Sequence, residues 1–430
     1  MMMCKRTAAA VLAALLAFGL SCGAGQAATQ APKSYAALFD EVWKTVDENF
    51  YDPSFHGSDW RAIGARYRER LSEARDDNGF SKLANAMLDE LHVSHLYLNK
   101  PSASAIKGGV GIGARVETIG GDRVVLEVAP LSDAQRQGLK VGERILGPAS
   151  ALQAPLGEAT SLQVLGCDGK RRTLTIRHEQ TNWPPARPSF EWRVVNLAPG
   201  LKLGYVRIDR FDDGAAEMAD LAMADLKDTD GLVIDLRQNS GGNNSGTRLV
   251  SYFAGGSKRA IALLARPYLQ ALGRPVTKVD LDKLPSTYGA YTDEGVFAAI
   301  KAGKGAAVYA PEDLGPKGYR GKVAVVMGAE TASAGEAFAW MMKVHTAATL
   351  IGRPTAGYLL SSDRFPLAGG WTLTAPVDGV WDAEARDFRD RAAQPDILVP
   401  RTASDECRVE DPDLARAVDV LKGQIAGAKR

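Results

Sequence analysis

Apolar positions divide the chain before anything else does. Between residues 35 and 91 they recur at spacings of three and four, first as Phe39, Val42, Trp43, Val46 and Phe50, then as Leu71, Leu83, Met87 and Leu91. That period predicts helices that each bury one face, and Asp52-Pro53 and Gly57-Ser58 interrupt it as turns. A small helical bundle is expected over residues 33–100. From Gly108 to His178 the pattern changes to short β-runs, with Ala114–Thr118 and Val124–Val128 on either side of Gly120-Gly121. Ser132 is placed to cap a short helix, Asp133 to Gln137, and strands are expected at Val141–Leu146 and Leu174–Ile176. Beyond Pro184, Pro185 and Pro188, residues 189–402 alternate apolar strands with helical stretches. The strands are Leu203–Ile208, Gly231–Leu236, Val323–Met327 and Ala348–Ile351, and the helices are Met218–Leu226 and Phe338–Val344. Such strands, covered on both faces by helices, predict an α/β layered domain. Residues 255–320, rich in Gly, Pro and Tyr, read as an insertion or lid, and 403–430 as a C-terminal tail or helix.

Composition changes this picture little. The chain has 430 residues, 52 Lys and Arg against 51 Asp and Glu, 45% apolar residues and 24% charged ones. This is ordinary globular usage, and at ~150 residues per domain the length suits about three domains. A disordered polymer, a coiled coil and a polytopic membrane protein are excluded, and a net charge of +1 gives no electrostatic reason to expect a nucleic-acid partner. The first residues do change the picture. Lys5 and Arg6 precede an apolar stretch from Ala8 to Leu20 and then small residues, the pattern of an export leader. Cleavage after Ala27 would give a mature chain from residue 28 and a periplasmic or secreted location. Cys22 directly follows the apolar stretch and is a candidate lipid-attachment site, although Gly19 stands where a bulky aliphatic residue would suit lipidation better. Soluble and lipid-anchored forms therefore both stay open. The other cysteines besides Cys4 are Cys167 and Cys407, without metal-ligand spacing. One bridge is open to them in an oxidising compartment, but we read them as two buried thiols.

Candidate chemistry gathers on two turns that follow apolar strands. One is Asp235-Leu236-Arg237-Gln238-Asn239-Ser240-Gly241-Gly242, and the other is Gly328-Ala329-Glu330-Thr331-Ala332-Ser333-Ala334-Gly335-Glu336. In an α/β layer the crevice lies at the carboxyl ends of the strands, so both turns can face one site. A serine at a helix entry, with paired glycines across from it, suits a nucleophile beside backbone N–H donors. Each signal has a plainer reading, Ser333 as a helix cap and Gly241-Gly242 as a turn. A general base has to come from a lysine or from the five histidines, His56, His92, His95, His178 and His345. No set of metal ligands is evident around His92 and His95, and no cofactor is expected.

Several of these words resemble known families. Gly111-Ile112-Gly113 and Ala129–Leu146 (APLSDAQRQGLKVGERIL) resemble a circularly permuted PDZ domain over 108–180, with Glu143 where such domains usually carry Asp. The resemblance implies capture of a peptide C-terminus by the backbone around Gly111, Ile112 and Gly113. Asp235–Gly242 (DLRQNSGG), Thr331–Glu336 (TASAGE) and Gln394–Val399 (QPDILV) resemble, in order, motifs of the tail-specific and tricorn-core serine peptidases, the C-terminal processing protease family. The resemblance implies an α/β core of the ClpP/crotonase kind, an N-terminal helical domain and a PDZ-like β domain, with polypeptides as substrates and Ser333 as nucleophile. It also implies an oxyanion hole from the N–H groups of Ala334 and of Gly241 or Gly242. One version of the family uses a Ser–Lys dyad, but Tyr358 stands where that lysine belongs. Lys343 lies ten residues along a helix from Ser333, ~15 Å away, and cannot substitute. The tricorn-like version uses a His preceded by Ser, as in Ser94-His95. This implies His95 as base, Ser94 as its orienting hydroxyl and an acid after the nucleophile, for which we take Asp390, with Asp387 as alternative. The rival reading is a catalytically inactive peptide-binding protein that keeps the protease shape. Oligomeric state does not follow from the sequence.

Overall fold

The computed structural model describes residues 34–100, 110–180, 188–198, 200–256, 258–388 and 391–428. The leader with Cys22, Pro184 and Pro185 of the link, and Asp390 lie outside the described residues. The chain opens with helices α1 (Tyr35–Asn49), α2 (Trp60–Glu69) and α3 (Asp77–Asp89), then strand β1 (Tyr97–Asn99). A β-rich part follows, with β2 (Val110–Gly111), β3 (Ala114–Ile119), β4 (Asp122–Val128), the one-turn helix α4 (Asp133–Arg136), β5 (Arg144–Leu146), β6 (Gln153–Ala154), β7 (Ala159–Leu165) and β8 (Arg171–Arg177). The remainder begins with β9 (Phe190–Ala198), β10 (Leu201–Ile208), α5 (Ala215–Leu226), β11 (Gly231–Asp235) and α6 (Gly246–Ser251). It continues through β12 (Ile261–Ala265), α7 (Arg266–Leu272), α8 (Lys278–Asp282), β13 (Ser286–Thr287), α9 (Asp293–Ala302) and β14 (Ala306–Tyr309). It closes with β15 (Lys322–Met327), α10 (Ala334–His345), β16 (Thr349–Gly352), β17 (Ser361–Pro366), β18 (Thr372–Asp382), β19 (Ile397–Leu398) and α11 (Pro412–Ala428). No described helix is long and apolar enough to cross a membrane.

One sheet has the order β19-β16-β15-β11-β10-β9, parallel except for β9. Its strands read as continuous apolar runs because both faces are covered. Leu232 and Ile234 turn toward Ala219, Met223 and Phe338 of α5 and α10, whereas Val233, Ala324 and Val326 turn toward Ala417, Leu421 and Ile425 of α11. This is the α/β layered core that the alternating pattern predicts. A second sheet runs β1-β18-β12-β14-β13, with β17 also on β18. Three of its strands, β12, β13 and β14, come from residues 255–320. The expected lid is therefore a sheet-building segment, and Leu263, Leu264, Ala307 and Val308 are buried on its two faces. Its glycines and prolines sit in the connections between these short strands, so its composition resembles that of a loop.

The helical expectation also needs correction. The N-terminal helices are not a separate bundle, because Leu38, Phe39, Val42, Phe80 and Leu88 share one core with Ala262, Leu264, Leu373 and Ala375 of the second sheet and with Trp371 just before β18. They form a layer on that sheet, and β1 is one of its strands, with Tyr97 opposite Thr374 and Leu98 opposite Leu373.

The β-rich part is a five-stranded antiparallel sheet, β3-β4-β5-β7-β8, beside the β2–β6 pair, around Ile112, Val125, Leu139, Ile145 and Val164. Ser132 caps α4 as expected, accepting the Gln135 N–H at 3.2 Å. Glu143 is buried and takes both guanidinium nitrogens of Arg172, at 2.6 and 2.7 Å. Cys167 and Cys407 do not stay thiols. They form a disulfide, with Cα atoms 5.6 Å apart, between the hairpin after β7 and the segment before α11. The fold brings together ends that are 240 residues apart in sequence, which spacing alone could not reveal.

Candidate active site

The two turns singled out in the sequence leave the carboxyl ends of neighbouring parallel strands, β11 and β15, and are bonded to each other. The Ala332 N–H donates to Asn239 O at 2.9 Å, and Thr331 Oγ1 donates to Leu236 O at 2.8 Å. Asn239 is wholly buried; its Nδ2 donates to Ile208 O at 3.0 Å and its Oδ1 accepts the Gly241 N–H at 2.9 Å.

Ser333 precedes α10 with φ 52° and ψ −122°. Ordinary caps in this chain look different: Ser34 and Ser132 are extended, at φ −174°, ψ 159° and φ −72°, ψ 161°. The Ser333 conformation is one that a non-glycine residue adopts only under constraint, at ~1–3 kcal/mol. The constraint is visible. The Ser333 N–H donates to Tyr358 O at 2.7 Å and to Glu336 Oε2 at 3.2 Å. Glu336 is fully buried, and its carboxylate also accepts Thr355 Oγ1 at 2.5 Å, Gly357 N–H at 2.7 Å and Tyr358 N–H at 2.6 Å. Burial raises its carboxyl above the usual range, while these donors oppose the rise. Glu336 thus rivets the Thr355–Tyr358 turn to the serine turn. The sequence displayed Glu336, Asn239 and Thr331 inside the motifs, but nothing in their spacing pointed to this role.

A cleft of about 570 Å³ opens over Ser333, between α10 and the face of the second sheet, and is lined by Ser240, Gly242, Ala334 and His95 among others. Of the five histidines only His95 lines it. His56 is held by Asp52, His178 is buried between Thr160 and Val110, His92 is exposed on the turn after α3, and His345 ends α10. His95 is half-buried with φ 58°, two residues before the start of β1, so the β1–β18 pairing carries it to the cleft. Its Nδ1 lies 2.9 Å from Ser94 Oγ, and Ser94 is buried. The Tyr358 ring stands edge-on to the imidazole, 6.4 Å between centroids. No described lysine lines the cleft, and Lys343 is turned to Asp396 at 2.8 Å and Gln394 O at 2.9 Å.

Gly241 and Gly242 separate in role. Both have left-handed φ, 109° and 130°. A Cβ on Gly241 would lie 2.6 Å from Ser333 Cβ, and one on Gly242 would lie 1.8 Å from Phe211 O. The Gly241 N–H is committed to Asn239, so it is not an oxyanion donor. Among the described residues, the N–H groups of Gly242 and Ala334 have no acceptor. Asp387 forms a bridge with Trp381 and does not line the cleft. In the β-rich part, Gly111 pairs with Gln153, Ile112 is buried, and Gly113 turns the chain at φ 76°.

A strained serine at a helix head, set in a cleft with one histidine, is an arrangement that a serine-type hydrolase can use. Comparison with known proteins narrows it. Residues 202–399 match peptidase family S41, and residues 31–89 match the tricorn protease C1 domain. The chain is 24% identical over 396 residues to carboxyl-terminal-processing peptidase 2, chloroplastic, of Arabidopsis thaliana, covering 85% of this chain and 69% of that one. It is 21% identical over 447 residues to the carboxyl-terminal-processing protease of Synechocystis sp., covering 96% and 94%. The solved photosystem II D1 C-terminal processing protease shares the fold with a TM-score of 0.52 at 20% identity, over 90% of this chain and 97% of that one. The chain belongs to the S41, C-terminal processing family and is a serine peptidase.

Proposed function

We propose that this peptidase is an exported endopeptidase with a Ser-His site of the tricorn-like kind. Ser333 Oγ attacks the scissile carbonyl, while His95 Nε2 takes its proton and later returns it to the leaving amine. Ser94 Oγ, accepting from Nδ1–H, keeps the Nε2 lone pair free for that transfer, and Asp390 or Asp387 accepts the hydrogen bond that the Ser94 hydroxyl donates. The N–H groups of Ala334 and Gly242 hold the developing oxyanion, each worth ~3 kcal/mol in the transition state. The reading is carried by one observation: a serine of strained backbone and the one cleft-lining histidine share a cavity, with that histidine's far nitrogen tied to Ser94.

Residues 108–180 act as a PDZ-like recruiter of exposed peptide C-termini. In support, the N–H groups of Ile112 and Gly113 have no acceptor among the described residues. Export is supported by the leader and by the Cys167–Cys407 bridge, since disulfides persist in oxidising compartments. A fluorophosphonate probe tests the site. The wild-type protein is expected to label and to cut unstructured polypeptide, while Ser333→Ala does neither and His95→Ala labels at least 100-fold more slowly. Undiminished cleavage by Ser333→Ala would refute the assignment.

A further inference from the structure

The cleft holds a feature that peptide hydrolysis itself does not use. Alternate residues of a strand share a face, and Thr374, Asp378 and Val380 of β18 all line the cavity. Its walls beside them are apolar, formed by Ile261 and Leu263 of β12 and by Leu359. Asp378 is 3% exposed and accepts a hydrogen bond from Ser361 Oγ at 3.0 Å. No described Lys, Arg or His forms an ion pair with it. Thr374 is also 3% exposed, and its Oγ1 has no hydrogen-bond partner. A buried carboxyl without a cation and a buried hydroxyl without a partner are both costly, and a ligand that completes them removes the cost.

The charges around this floor do not supply the missing cation. Arg210, Asp293, Asp363 and Arg364 lie on the exposed rim, two of each sign. A neighbouring cleft of about 670 Å³ shares Phe297, Asp363 and Asp378 with the first and adds Asp47, Glu48 and Arg266. Arg266 is turned to the Phe50 carbonyl at 2.9 Å. Burial, with the Asp363 charge behind it, raises the Asp378 carboxyl to about 6 against the pull of Ser361. At pH 7 and above Asp378 is therefore an anion in want of a counter-charge.

We infer that Asp378 and Thr374 form a subsite for a lysine or arginine side chain of the bound polypeptide, next to the scissile bond. The aliphatic stem lies along Ile261, Leu263 and Leu359, and the cationic head meets the Asp378 carboxylate and Thr374 Oγ1. The inference rests on the proposed reading only in that Ser333 marks the scissile bond.

Binding to Ser333→Ala protein separates the two. The probes are fluorescein-labelled alanine–glycine octapeptides carrying a single Lys, Arg, ε-acetyl-lysine, Leu or Glu, read by anisotropy at pH 8. The Lys and Arg peptides are expected to bind at least tenfold more tightly than those with Leu or ε-acetyl-lysine, and the Glu peptide most weakly. Adding Asp378→Asn should erase the difference, and adding Thr374→Val should reduce it. Equal binding of Lys and ε-acetyl-lysine peptides would overturn the subsite without reliance on any floor variant, as would a Lys preference that survives Asp378→Asn. This assay needs no chemistry, so a failure of Ser333 to act as nucleophile would show in the labelling experiment and leave the binding result standing. Cut sites mapped with active protein should fall within two residues of Lys or Arg.

Discussion

Glu336 offers the sharpest test of how the serine turn is held. Its two carboxylate oxygens each face two donors: Oε1 takes Thr355 Oγ1 and the Gly357 N–H, and Oε2 takes the Tyr358 and Ser333 N–H groups. In Glu336→Gln one of those oxygens becomes an NH₂ group. Turned toward Tyr358 and Ser333, it confronts two N–H donors, of which only Ser333 has another acceptor, Tyr358 O. Turned the other way, it confronts the Gly357 N–H and Thr355 Oγ1, and the latter already accepts the Ala393 N–H at 2.7 Å. Either orientation leaves at least one buried N–H unpaired, which costs ~2 kcal/mol. Glu336→Ala strands the Thr355 hydroxyl and two N–H groups together. Relief from burying a carboxylate offsets part of that, and a net loss of ~3 kcal/mol is expected. Because the same bonds hold Ser333 in place, a displacement of ~1 Å should lower kcat/KM by about 100-fold in both variants. Urea unfolding followed by circular dichroism measures the first quantity, and hydrolysis of an unstructured polypeptide measures the second. A Glu336→Gln protein within ~0.5 kcal/mol of wild type and equally active would refute the riveting argument.

Three further outcomes follow from contacts around the site. Although Glu330 is nearly half exposed, its carboxyl is raised from 4.5 to about 7, by partial desolvation and by Glu117 of β3, with Arg115 3.5 Å away opposing the rise. A carboxyl raised on folding contributes stability that is complete below its ordinary pKa and lost as pH rises through 7. The thermal midpoint should therefore fall between pH 5 and pH 8, and Glu330→Gln should flatten that fall. Cys407→Ser opens a loop of 240 residues; chain entropy puts the loss at ~5 kcal/mol as an upper value, read as a lowered denaturation midpoint that dithiothreitol reproduces in the wild type alone. Gly242→Ala should abolish fluorophosphonate labelling, since its Cβ would fall 1.8 Å from Phe211 O and the N–H would have to move.

Much of this molecule is legible in its sequence, and the limits have physical causes. Gly231–Leu236 and Val323–Met327 announce themselves because a strand covered on both faces has no polar alternation to obscure it. Ser132 and its short helix are equally plain, since a cap is local chemistry. What could not be read depends on partners distant in the chain. β1 is three residues long and becomes a strand only because β18 lies beside it. Residues 261–265 and 306–309 form a central pair of one sheet, yet the turns, prolines and helices between them hide the pairing. Cys167 and Cys407 look like isolated thiols until the β-rich part packs against the segment before α11. Gly241 and Gly242 look interchangeable in sequence, and only the Asn239 carboxamide separates a committed N–H from a free one.

These non-local contacts converge on the serine turn from three sides. β1 delivers His95 by pairing with β18, and the same strand β18 supplies Asp378 and Thr374 to the floor of the cleft. Glu336 fixes the turn from the Thr355–Tyr358 side, and Glu330, three residues before Ser333, receives Arg115 from β3. The β-rich part is joined to the core by the disulfide and the Arg401–Glu117 ion pair at the segment before α11, and by the Arg115–Glu330 ion pair on the serine turn. The first two anchor the β-rich part beside the segment before α11, while the third sets a β3 side chain against a residue three positions before Ser333. On the proposed function, a peptide end bound near Gly111–Gly113 would lie beside β3, which carries Arg115, because β2 and β3 are separated only by Ile112 and Gly113. If recruitment and alignment of Ser333 are coupled through that contact, Arg115→Ala should weaken the dependence of cleavage rate on a free substrate C-terminus more than it weakens binding of that C-terminus.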